Sequence, residues 1–185
     1  HGEHLWQLAH GRDERRVVPD REAKSISHET TFAADIKNRD VLHAWLLELT
    51  DQVARRLRRH GLSGRTVHLK VRFANFQTIT RSHKLGEPTA ATETISQVAC
   101  HLFNSRVPNM GQAVRLLGVG VSEIDHGGQT QGLLFDREEQ ELHARLDRAS
   151  DSIKDRFGTS ALRRASAMNH DVEHHAQPRP DEDNE

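Results

Sequence analysis

The chain has 185 residues, 35% of them hydrophobic and 29% charged, with a formal net charge of −1 and a mean hydropathy of −0.74. That length fits one domain of ordinary size plus extensions, and the low apolar content points to a folded core carrying solvated tails. No apolar run is long enough to span a membrane, the start lacks the apolar core of a secretory signal, and the single Cys100 excludes an internal disulfide, so a reducing cytoplasm is expected.

In chain order, "EHLWQLAHG" reads as the end of a helix, with Leu5, Leu8 and Ala9 on one face and Gly11 at its stop. The polar stretch "RDERRVVPDREA", carrying Pro19, reads as a linker. "KSISHETTFAAD" (24–35) predicts a strand anchored by Ile26 and Phe32. "NRDVLHAWLLELTDQVARRLRRHG" predicts the clearest helix. Val41, Trp45, Leu49, Val53 and Leu57 recur every fourth residue, Asn38 or Asp40 stands at the cap, and Gly61 ends it. "GRTVHLKVRFANF" alternates, Val67, Leu69, Val71 and Phe73 to one side and His68, Lys70 and Arg72 to the other. It predicts a half-buried strand, joined through "RFANF" to a further strand, "QTITRSHK". "EPTAATETISQVACHLFNSR" predicts a second amphipathic helix starting near Pro88 or Thr89, with Ile95, Val98, Ala99, Leu102 and Phe103 inward; Cys100 reads as a small core residue. "QAVRLLGVGVSEI" is apolar enough to be a central strand.

The succession β-α-β-β-α-β predicts an α+β domain with a ferredoxin-like split topology. Four antiparallel strands would carry both helices on one face and leave the other open. After the Gly-rich "DHGGQT", a long helix is expected through Phe157, capped by Asp136 with Glu139 and packed through Leu142, Leu146, Ile153 and Phe157. The organisation expected is a leading helix and linker over 1–22, the sheet domain over 23–125, a linker with an apolar peptide over 126–136, helical structure over 137–166 and a disordered acidic tail over 167–185.

Charge is segregated along this chain. Between Gln52 and Lys84 stand Arg55, Arg56, Arg58, Arg59, Arg65, Lys70, Arg72, Arg81 and Lys84 with no acid among them, whereas six acids and only Arg179 lie between Asp171 and Glu185. A basic stripe attracts polyanions. The open face carries Lys, Arg, Thr and Ser and lacks the aromatic pairs that stack bases, so it suits phosphate contact over base reading. The alternative is a solvated sheet face that happens to be basic. His170, His174 and His175 cluster in "HDVEHH", but an acidic tail offers neither a firm fourth ligand nor a packed surround, and no metal is expected. No phosphate loop, nucleophile elbow or carboxylate pair suggests a catalytic residue.

At "KSISHETTF", "VHLKVRFANFQTITRS" and "VRLLGVGVSEI" the chain resembles the little-finger (C-terminal) domain of Y-family DNA polymerases, specifically the bacterial DNA polymerase IV (DinB-like) group. The opening "GEHLWQLAHGRDERRVVP" resembles the end of that family's thumb and its linker; with a start at His1 in place of Met, this reads as a piece of a longer protein. The resemblance implies a domain that binds duplex, damaged primer–template DNA in translesion synthesis. Its backbone contacts would be Lys24, Ser25, Ser27, Lys70, Arg72, Thr78, Thr80, Arg81 and Arg115. It implies a peptide docking on the sliding clamp through Gln131, Leu133, Leu134 and Phe135 of "QGLLF", for which the rival is a hydrophobic staple on the following helix. The palm that holds Mg²⁺ for nucleotidyl transfer in the parent DNA-directed DNA polymerases is not among these residues, so the chain alone is expected to hold no cofactor and not to synthesise DNA. A monomer is expected. The other reading is a stand-alone nucleic-acid-binding or regulatory module of the same fold.

Overall fold

The computed structural model describes residues 1–16, 22–108, 111–125 and 137–165, with side chains in the last segment from residue 141. The elements in chain order are α1 (Gly2–Ala9), β1 (Ser25–Ile36), α2 (Arg39–Arg59), β2 (Ser63–Phe73), β3 (Thr78–Thr89), α3 (Thr92–Arg106), β4 (Val114–Asp125) and α4 (Arg137–Phe157). The strands form one antiparallel sheet in the order β1-β4-β2-β3. Each βαβ passage is therefore split by one strand, β4 lying between β1 and β2, and β2 between β3 and β4. The α+β architecture expected from the alternating patterns stands, with α2 and α3 covering one face.

The alternation of β2 places Val67, Leu69, Val71 and Phe73 in the core beside Leu117, Val119 and Val121 of β4, all nearly inaccessible to solvent. From α2 come Leu42, Trp45, Leu46, Leu49, Val53 and Leu57, and from α3 Ile95, Ala99, Leu102 and Phe103. The stripe on α2 recurs at helical spacing, which turns one face of that helix onto the sheet. Asn38 caps it, its side chain accepting from the Asp40 N–H at 2.9 Å, and Gly61 leaves it at φ +64, a backbone region that glycine enters without steric cost. Cys100 is half-buried, and burial raises its thiol pKa.

Three details differ from expectation. First, β3 runs on to Thr89 through Gly86 and Pro88, and α3 starts only at Thr92. As an edge strand, β3 loses little by a proline that cannot donate. Second, α1 buries none of its residues, and Leu5 and Trp6 are exposed.

Third, α4 docks through its polar face. Leu142, Leu146, Ile153 and Phe157 are exposed, whereas Asp147 and Lys154 are buried. Arg58 of α2 donates to both carboxylate oxygens of Asp151 at 2.7 and 2.9 Å, to Asp147 at 3.0 Å, to the Ala90 carbonyl at 2.8 Å and to Thr92 Oγ1 at 2.9 Å. Asp147 also accepts the Thr92 N–H at 2.9 Å. The residue at the α3 N-cap, Ala91, has no side chain to do this, so α4 supplies from a distance the acceptor that a helix start requires. Lys154 pairs with Asp51 of α2. Burial works against the Arg58 charge, but hydrogen bonds from Arg58 to Asp151 and the nearby Asp147 and Asp51 carboxylates outweigh it, and the guanidinium pKa lies above its ordinary value. The Asp136–Glu139 cap expected for this helix falls outside the described side chains.

Candidate nucleic-acid interface

The face of the sheet away from α2 and α3 is built from the other half of each alternation. Registered rows run across it: Glu29–Gly118–Lys70–Thr80, Ser27–Gly120–His68–Ser82, and Ser25–Ser122–Thr66–Lys84. These rows enclose a shallow trough of about 330 Å³ whose floor is Gly118 and Gly120 of β4. A Cβ on Gly118 would come within 2.8 Å of Glu29 Cβ, and one on Gly120 within 3.0 Å of Ser27 Cβ. Glycine here keeps the middle of the sheet low and lets flanking side chains meet across it. Gly118→Ala is expected to lower stability by about 1–3 kcal/mol through overpacking; a urea midpoint equal to that of the parent would show that Glu29 moves aside freely.

Ser25 and Ser27 are exposed on β1, Lys24 is exposed just ahead of them, and Lys70 and Arg72 stand half-buried on β2. Thr78 and Thr80 are exposed on β3 opposite Arg72 and Lys70. The Arg72 Nε donates to Thr78 Oγ1 at 2.9 Å. The rows thus bring seven of the nine residues expected to touch a nucleic-acid backbone to one side or edge of the sheet. Arg115 stands at the end of the sheet, beside the bulge where β1 and β4 lose register, with its guanidinium 4.8 Å from the Phe76 ring and 3.8 Å from Asp35.

Arg81 is a correction. It pairs with the core residue Leu69 and therefore points to the helix side, where its Nε donates to the Arg106 carbonyl at the end of α3 at 3.0 Å. The "TRS" alternation that exposes Thr80 and Ser82 turns Arg81 away. Arg55 and Arg58, counted in the basic stripe, are occupied by the α4 carboxylates. Gln131, Leu133, Leu134 and Phe135 lie outside the described residues, as do His170, His174 and His175.

Sequence reasoning missed the acids of this face. Glu29 Oε2 sits 2.8 Å from Lys70 Nζ. Glu123, at φ +53, accepts from Thr66 Oγ1 at 3.1 Å and from Lys84 Nζ at 2.6 Å. The Lys84 hydrogen bond, then that of Thr66, hold its carboxyl pKa below the ordinary value. Alternation alone would flag Glu29, which shares parity with Ser25 and Ser27. Nothing local flags Glu123, because a left-handed residue inside a strand breaks the parity rule. Phe76 was missed as well: it is exposed at the β2–β3 turn with φ +66. Among the described residues no three His, Cys, Asp or Glu side chains converge as metal ligands, and no helix is long and apolar enough to cross a membrane.

The match to known proteins falls on this sheet. A family model described as the impB/mucB/samB family C-terminal domain matches residues 23–134. The chain belongs to this family. Its relatives include a DNA polymerase IV of Dehalococcoides mccartyi (strain ATCC BAA-2100 / JCM 16839 / KCTC 5957 / BAV1), 40% identical over 159 residues, covering 86% of this chain and 40% of the relative. DNA polymerase IV 1 of Mesorhizobium japonicum is 37% identical over 161 residues, 87% of this chain and 36% of that protein. The chain thus spans well under half the length of these relatives. Among solved structures, one described as a complex of the beta-clamp processivity factor and the little finger domain of PolIV aligns with 60% of this chain and 98% of its own, at 26% identity and a TM-score of 0.46. Membership of the little-finger domains of the DNA polymerase IV group, expected from the three sequence blocks, holds on the family match and these relatives. Within the matched family domain, β1 to β4 make up the sheet, whereas α4 lies beyond residue 134.

Proposed function

We propose that this chain is the DNA-gripping and clamp-tethering part of an error-prone translesion polymerase. The observation that carries the reading is the open sheet face of a family domain, where Lys70, Arg72, Thr78, Thr80, Ser25 and Ser27 share one face, four of them (Ser25, Ser27, Lys70 and Thr80) lining a glycine-floored trough. Lysine and arginine ends neutralise phosphates, hydroxyls hydrogen-bond to phosphate oxygens, and neither reads sequence. Gly118 and Gly120 let the backbone of a duplex approach the middle strands. Lys24 and Arg115 extend the contact to opposite margins, and Arg81 is left out. The synthetic step belongs to a palm elsewhere in the full polymerase, so no cofactor and no catalytic residue are assigned to this chain.

The second half of the reading is a short peptide. Gln131 supplies hydrogen bonds and Leu133, Leu134 and Phe135 supply apolar anchors for a cleft on a sliding clamp. Support for it is the "QGLLF" pattern directly after the sheet domain.

The test of DNA binding is affinity for a labelled duplex against salt concentration. Binding should fall linearly on logarithmic axes and vary little with sequence, with a slope of about −0.9 per phosphate neutralised. Lys70→Ala with Arg72→Ala should flatten the slope by about 2 and weaken all sequences alike. Sequence-selective binding that ignores salt would overturn the assignment.

A further inference from the structure

The open face holds its own anions. Lys70 reaches Glu29 across the central strand, and this bridge exists because the residue between them in the row is Gly118. Lys84 is held by Glu123, which stands in the left-handed backbone region; there its carboxylate meets Thr66 and Lys84, two members of the open-face row. Both pairs are open to solvent, with side-chain exposures of 37% and 51% for Lys70 and Glu29 and of 62% and 47% for Lys84 and Glu123. Exposed ion pairs add little to stability. A non-glycine residue at positive φ is itself unfavourable, so stability is a poor account of why Glu123 is held there. Each carboxylate sits on a lysine amine that a phosphodiester oxygen would otherwise take.

We infer that Glu29 and Glu123 are affinity-setting residues that occupy Lys70 and Lys84 in the free domain and give them up to the DNA backbone by exchange of carboxylate for phosphate. This rests on the DNA-binding reading above. The exchange involves no covalent step: a lysine–carboxylate pair opens, a lysine–phosphate pair forms, and the freed carboxylate is rehydrated. Binding is weakened because each lysine leaves a partner to make its contact, and because two negative charges remain beside the duplex. A domain that must follow a moving primer terminus gains from this, since weak, replaceable contacts let it release one phosphate and take the next.

The experiment measures anisotropy of a fluorescein-labelled duplex of random sequence across a potassium chloride series. It uses the parent chain, Glu29→Gln, Glu123→Gln, and Lys70→Ala in the parent and Glu29→Gln backgrounds. Glutamine keeps the size and removes the charge. Each glutamine variant should bind about two- to fivefold tighter at low salt, with a salt slope close to that of the parent, since the lysine meets its phosphate in both complexes. Lys70→Ala should cost more affinity in the Glu29→Gln background than in the parent. Glu48→Gln, an equal change of net charge on the helix side in α2, should leave affinity within about twofold. The inference is overturned if the parent binds with the expected salt dependence while the glutamine variants match it in affinity, if Glu48→Gln gives the same gain, or if the Lys70→Ala loss is equal in both backgrounds. Absence of salt-dependent binding by the parent would instead remove the DNA-binding reading and this inference with it.

Discussion

Arg58→Ala should cost the domain about 3–5 kcal/mol, the loss expected when one partner of a buried charge cluster is removed. Three elements converge on this guanidinium. It satisfies Asp147 and Asp151 of α4, the Ala90 carbonyl before α3 and Thr92 at the start of α3. The side chains of Arg58, Asp147 and Asp151 are only 16%, 7% and 17% exposed, so solvent cannot take over the missing bonds. Without the arginine two carboxylates are left beside each other, α4 loses one of its anchors, and Asp147, the acceptor of the Thr92 N–H, is no longer held in place. Arg58→Lys should recover only part of the loss, because an ammonium cannot make the two-pronged contact to Asp151. Urea unfolding reads the stability, and limited proteolysis reads release of α4. A loss below about 1 kcal/mol, with α4 still protected, would place this cluster with ordinary surface ion pairs.

Changing Leu134 and Phe135 together to Ala should abolish clamp binding and leave DNA binding intact. Full burial of a large apolar side chain is worth about 1.5–3 kcal/mol. The pair therefore accounts for about 3–6 kcal/mol, a loss of more than a hundredfold in affinity for a modest interface. On the clamp reading the thermal midpoint should hardly move, since a docking peptide lends no side chain to the sheet core. Clamp affinity is measured by surface capture of the purified clamp, and the state of α4 by helical circular dichroism. Intact clamp affinity together with loss of helix would favour the staple on α4, with Phe135 as one of its members, and the tethering role would fall.

The parts of this fold that were legible are those in which one short window decides the outcome. The period-two alternation of Val67 to Phe73 fixes both the strand and the face it buries, and the four-residue recurrence of Val41 to Leu57 does the same for α2. Where partners are remote, the pattern misleads. Leu142, Leu146, Ile153 and Phe157 have the spacing of a buried stripe, yet α4 rests on Asp147, Asp151 and Lys154. Acids and bases some hundred residues apart along the chain, such as Arg55 and Asp155, leave no periodic trace. The site divides in the same way. Parity places Ser25, Ser27, Lys70, Arg72, Thr78 and Thr80 on one face, and strict parity would also have turned Arg81 to the other. That Lys70 and Lys84 are already engaged depends on Gly118 and on the backbone angle of Glu123, both set by the assembled sheet.

The strand order also fixes when the sheet can come into being. Within this sheet β1, the first of the four strands in the chain, pairs among the described residues only with β4, the fourth. Until β4 has left the ribosome, the β2–β3 hairpin is the only part of the sheet that can close, and β1 stays without a neighbour. Ladders of such long sequence separation form slowly, since the loop between the strands must be closed before any contact rewards it. A chain that stops within α3 has no row joining Glu29 to Lys70 and no trough, because both are built on β4.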